Sequence, residues 1–136
     1  RGGPAGPAGR AFHDVATRHG HATDVASVED EVDLDKVRFL PETYGSIVEG
    51  YMESAGDMLD SREVGHLALA PLVITYELGL RFLTDYLEGD VYFKVKRPGH
   101  NLDRVRAQFK LLVSMEERLE EMEDIVLRFS AAKSLA

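Results

Sequence analysis

From Pro41 onward, apolar residues recur at helical spacing. Tyr44, Ile47, Val48, Tyr51, Met52, Met58 and Leu59 keep the i, i+3, i+4 rhythm of one buried stripe, with Glu49 and Glu53 opposite. Pro41 suits a first helical turn, and Glu42 sits near the positive helix end. Asp60-Ser61 reads as a break and an N-cap for a short turn containing His66. Residues 70–88 predict a second helix. In it Val73, Ile74, Leu78, Leu80, Phe82, Leu83, Tyr86 and Leu87 wrap most of the circumference, as expected of a central helix packed on several sides. Gly89-Asp90 and Pro98-Gly99 are turn signals, and Val91–Val95 between them reads as a short extended piece. A third helix is expected from Asn101, a good N-cap residue. Leu102, Val105, Phe109, Leu112, Met115, Leu119, Met122, Val126 and Phe129 come close to a heptad seam. At about 1.5 Å per residue this rod would run about 40 Å and must find partners along its length, in this chain or in a second copy. The pattern predicts an all-α bundle of three main helices with a long, self-associating C-terminal helix.

The rest of the chain has a different character. RGGPAGPAGR has no periodicity and no large side chain, and residues 11–26 are small and polar. Glu29, Asp30, Glu31, Asp33 and Asp35 then crowd into an acidic stretch expected to be extended and solvated. The expected organisation is a Gly/Pro/His-rich arm, 1–26, before a helical domain, 27–136. The 24 acids against 16 bases, a net charge of −8, argue against a nucleic-acid partner. No apolar run approaches the ~20 residues that span a bilayer, and no signal-like segment opens the sequence, so no membrane partner is expected and the expected location is cytoplasmic. The absence of cysteine removes disulfides, thiolate metal sites and cysteine nucleophiles.

Three groups of residues carry candidate chemistry. Glu77, Arg81 and Asp85 are spaced i, i+4, i+8. They make either a salt-bridged solvent stripe or a polar seam lining a substrate cleft, with the guanidinium placed for a phosphate or sugar oxygen. His13, Asp14, His19, His21 and Asp24 fall within twelve residues. Imidazole and carboxylate together suit a divalent ion such as Mn, Zn or Mg, although the spacing fits no fixed zinc motif and a mobile polar arm has the same composition. His100 follows Pro98-Gly99 at a helix entrance and is either a capping-region residue or a third catalytic candidate beside Glu77 and Asp85.

The run from Ile74 to Met122, with LRFLTDYL, GDVYF and GHNLDR at their spacings, resembles the C-terminal helical end of N-acetylhexosamine 1-kinase-like proteins, of the aminoglycoside-phosphotransferase and choline-kinase superfamily. SVEDEVDLDKVRF is similar to the acidic connector before that end. The resemblance implies sugar-binding roles for Arg81, Tyr92 and Phe93. The family's nucleotide-binding lobe, catalytic-loop aspartate and magnesium aspartate have no counterpart in this sequence, so a competent kinase and a nucleotide cofactor are not expected.

Two functions follow as expectations. One is a stand-alone helical fragment that hydrolyses small phosphate esters with a divalent ion, phosphodiesters first, because a single negative charge suits so acidic a protein. The alternative is a non-catalytic interaction module, a homodimer or higher homo-oligomer formed through apolar surface that a missing lobe would have covered.

Overall fold

The computed structural model describes residues 30–134, and every regular element among them is helical. The bundle is built from α1 (Pro41–Ala55), the short α2 (Ser61–Gly65), α3 (Ala70–Glu88), α4 (His100–Glu117) and α5 (Leu119–Ser134). The expected all-α bundle is therefore present, with four long helices in place of three. The N-terminal arm, 1–26, lies outside the described residues.

α1 begins where expected. Pro41 follows the extended Leu40, and Glu42 occupies the first turn. Its buried line is Tyr44, Gly45, Val48 and Met52, while Met58 is exposed because the chain turns away through the 3-10 segment Gly56–Met58. The Tyr44 hydroxyl donates to the Leu67 carbonyl at 3.1 Å, and burial pushes its pKa above the usual phenol value. α2 is opened by a reciprocal capping box. Asp60 accepts from the Glu63 N–H at 2.8 Å and Glu63 accepts from the Asp60 N–H at 2.9 Å.

The acidic stretch is exposed at Asp33 and Asp35, and the residues that follow it turn into the core. Asp33 and Asp35 face water around the 3-10 turn Leu34–Lys36, while Val37 and Phe39 are buried in the main core. The Phe39 N–H donates to Ser114 Oγ of α4 at 2.8 Å, which fastens the connector across the bundle.

Among the described residues, α3 is packed on one face and not all round as its composition predicts. Its buried residues are Ala70, Pro71, Leu72, Thr75, Gly79, Phe82 and Asp85, one face pressed against α4. Val73, Tyr76, Leu80, Tyr86 and Leu87 are exposed. The contact with α4 is close: a Cβ at Gly79 would stand 2.5 Å from Cε1 of Phe109. The helix ends in a Schellman motif at left-handed Gly89 (φ 95°). The Gly89 N–H bonds to the Tyr86 carbonyl, and the Asp90 N–H bonds to the Asp85 carbonyl at 2.8 Å.

The expected long C-terminal rod is interrupted. Arg118 leaves helical geometry (φ −118°, ψ 19°), so α4 and α5 are separate helices. Neither Pro nor Gly marks the break in EERLEE. The two halves pack on different neighbours, α4 on α3 and α5 on α1, and one straight rod does not serve both contacts. Leu111 is buried in α4 while Leu112 is only half-buried, so the inferred heptad seam is off by one position in mid-helix. Met115 and Met122, on either side of the break, both lie fully buried in the core with Tyr44, Val48 and Val126.

Candidate functional site

The C-terminal half of α3, the loop 89–99 and the first turns of α4 form the most organised polar region. Its centre is Asp85, buried on the side of α3 that meets the loop. Asp85 Oδ1 accepts the Tyr92 N–H at 2.6 Å. Its Oδ2 accepts the Phe93 N–H at 3.0 Å and Asn101 Nδ2 at 2.7 Å. Burial alone would raise its pKa, but the donors from Tyr92, Phe93, Asn101 and Val91 outweigh that and hold it below the ordinary carboxylate value. Val91–Val95 is consequently no extended strand. The loop bends so that successive N–H groups point at one carboxylate.

Asn101 does not cap its helix. Gly99 (φ 76°) holds the cap position, and the fully buried Asn101 amide donates to Asp85 and, at 3.0 Å, to Asp90 Oδ1. Its Oδ1 receives Arg104 Nη1 at 2.9 Å, and Arg104 Nη2 reaches the Lys94 carbonyl at 3.2 Å. The Arg104 guanidinium also stands over the Phe82 ring, 5.3 Å from its centroid. Phe82, Phe93 and Tyr92 continue outward as an aromatic series with centroids 4.8 and 4.9 Å apart. Asn101, Arg104 and Asp90 were not among the sequence candidates. The motif GHNLDR pointed to the right segment but only His100 was singled out in it.

Above this base lies an open cleft of about 440 Å³. Glu77, Arg81, Thr84 and Glu88 line it from α3 together with Leu80, and Tyr92 and Phe93 line it from the loop, with Asp85 at its floor. Five of the candidates thus meet in one place: Glu77, Arg81, Asp85, Tyr92 and Phe93. The three-residue ladder does not form as a ladder. Arg81 pairs with Glu77 at 2.9 Å, both well exposed, while the carboxylate of Asp85 is turned inward to the loop.

His100 is not part of the cleft lining. It is buried behind it, with Nδ1 accepting the Lys96 N–H at 3.1 Å and Nε2 at 2.6 Å from Asp30 Oδ2. The Lys96 contact assigns the tautomer: Nδ1 is the acceptor, so Nε2 bears the hydrogen and donates to the Asp30 carboxylate. The hydrogen bond from His100 holds the Asp30 pKa below the ordinary value, against a smaller desolvation effect. His13, Asp14, His19, His21 and Asp24 lie outside the described residues. Among the described residues, no group of three or more His, Asp or Glu side chains stands close enough to share a metal ion. A second groove of about 370 Å³ between α1 and α5 is lined by Pro41, Glu42, Glu121, Asp124, Ile125 and Arg128, and it contains none of the candidates. No protein-family model matches the chain.

Proposed function

We propose that the chain is similar to the C-terminal helical end of a sugar-kinase-like protein, and that it binds small phosphate esters in the α3 cleft and hydrolyses them with a divalent ion, phosphodiesters first. The observation that supports this is the meeting of an exposed guanidinium, an exposed carboxylate and an aromatic pair in one cleft of small-molecule size. The Arg81 fork suits two oxygens of a phosphate group, and Tyr92 offers a ring face for a sugar or base. Glu77 and Glu88 on the same wall repel a doubly charged monoester more than a singly charged diester. Asp85, fully engaged, keeps Tyr92 and Phe93 in position and does not itself move a proton.

The ion would be held by His13, Asp14, His19, His21 and Asp24, with carboxylates of the helical body completing its shell. When bound, such an ion lowers the pKa of its water and neutralises phosphoryl charge.

The test is to strip the chain with a chelator and assay phosphodiesters and phosphomonoesters with Mn, Zn or Mg added. Metal-stimulated turnover is expected, greater on diesters. Arg81→Ala should raise KM with the metal still bound, and joint replacement of His13, His19 and His21 by Ala should abolish the stimulation at unchanged helical content. Chelation without effect, or ATP-dependent phosphorylation of an N-acetylhexosamine, would overturn the proposal.

A further inference from the structure

Among the described residues, the apolar side chains left exposed on α3 fall, Tyr86 apart, on one line. Leu69, at the N-cap, is followed by Val73, Tyr76, Leu80, Leu83 and Leu87, at intervals of four, three, four, three and four. This is the a/d rhythm of a coiled-coil seam, running beside the face that packs on α4. None of the six is charged; Leu83 is half-buried and the other five are exposed. From this seam we infer that two copies of the chain pair through α3, antiparallel, about a twofold axis passing beside residue 78.

The occupant follows from symmetry and from area. The six positions lie symmetrically about residue 78, so a second copy turned end for end sets Leu69 opposite Leu87, Val73 opposite Leu83 and Tyr76 opposite Leu80. Every apolar residue then meets an apolar residue in an isologous, closed interface. A parallel pair would also align the seam, but it would set the equal helix dipoles side by side, whereas the antiparallel pair opposes them. Leu69, Val73, Tyr76, Leu80 and Leu87 are exposed by 47%, 52%, 51%, 39% and 74%. With about 150–250 Å² for a large side chain, these fractions offer about 450 Å² per copy. Two copies with the flanking Glu77 and Thr84 therefore bury at most about 1,000 Å², below the ~1,200 Å² of stable interfaces and in the range of weak, reversible ones. The net charge of −8 opposes pairing at long range, so salt should strengthen it. The surface is distinct from the C-terminal heptad pattern, whose buried residues are already used within the chain.

Sedimentation equilibrium from about 1 to 300 μM tests this without any substrate; the seam shares Glu77, Leu80 and Thr84 with the cleft wall, so association is read by itself and not through turnover. The expected result is a monomer–dimer equilibrium with Kd of about 10–100 μM, tighter in 0.5 M salt. Val73→Glu with Leu87→Glu, both at exposed positions outside the cleft lining, should weaken it at least tenfold with an unchanged circular dichroism spectrum. The chain has no cysteine, so register can be read by crosslinking. A mixture of Leu69→Cys and Leu87→Cys chains should form the mixed disulfide in preference to either homodimer. A monomer at 300 μM, a dimer indifferent to the double Glu variant, or a predominance of the Leu69→Cys homodimer would each overturn the inference.

Discussion

Replacing Gly79 by Ala sets two opposed effects against each other, and the structure decides which prevails. In an open helix interior the change stabilises by about 1 kcal/mol, because alanine loses less backbone freedom on folding. At Gly79 the new Cβ would stand 2.5 Å from Cε1 and 2.9 Å from Cδ1 of Phe109. Carbon atoms settle at about 3.5–4.0 Å, so the ring edge must retreat by about 1 Å. Phe109 is stacked on Tyr76 with centroids 6.3 Å apart, so its movement disturbs a second ring. Overpacking of this kind costs about 1–3 kcal/mol, leaving Gly79→Ala destabilising by about 1 kcal/mol. Gly50, in the interior of α1, has nothing within 4 Å of its virtual Cβ and supplies the control. Gly50→Ala should stabilise by about 1 kcal/mol. Thermal unfolding then separates the variants: the midpoint falls by about 5 °C for one and rises by about 5 °C for the other. If Gly79→Ala raises the midpoint as Gly50→Ala does, Phe109 is not held against α3 and the account of the α3–α4 contact fails.

Asp85→Asn should loosen the loop 89–99, because an amide offers one acceptor oxygen where Tyr92, Phe93 and Asn101 need two. Faster hydrogen exchange at the Tyr92 and Phe93 amides, with protection in α1 unchanged, is the expected signature. The lowered pKa values of Asp30 and Asp85 set the direction of the acid limb. Their stabilising effect is complete above the unfolded-state value of about 4 and is lost as pH falls below it towards the folded values, so a Tm-against-pH curve from 7 to 2 should fall in that window and fall less for Asp85→Asn. Tyr44→Phe removes the bond to the Leu67 carbonyl and should cost about 1 kcal/mol in urea unfolding, with no change in far-ultraviolet circular dichroism.

Much of the fold was legible because its signals are local. Pro41, the Asp60 cap and Gly89 each act within one helical turn, and the predicted span 70–88 is the observed one. The break at Arg118 was not legible, since no residue there disfavours a helix and the cause is that α4 and α5 pack on different neighbours. Asn101 fits the local preference of an N-cap, yet a carboxylate sixteen residues earlier is the stronger partner for its amide. His100 could be singled out, but its partner Asp30 lies seventy residues away in sequence. The composition of α3 pointed to a helix covered on all sides because periodicity reports how much of a helix is apolar, not how many of the described elements pack on it. Arg81, Tyr92 and Phe93 were found together through a resemblance, and the folding of the loop around Asp85 is the physical reason they share one cleft.

The division of the C-terminal rod at Arg118 also bears on the order in which the molecule folds. The α3–α4 hairpin closes a loop of about ten residues, whereas Gly45 of α1 meets Ile125 of α5 across roughly eighty, which costs about 2 kcal/mol more in closure entropy. The hairpin therefore has reason to form before α5 has found α1, with Arg118 as the joint about which the last helix swings in. Substitutions at the Gly79–Phe109 contact then act chiefly on the folding rate, and those at the Gly45–Ile125 contact chiefly on the unfolding rate, a contrast that the two arms of a chevron plot record directly.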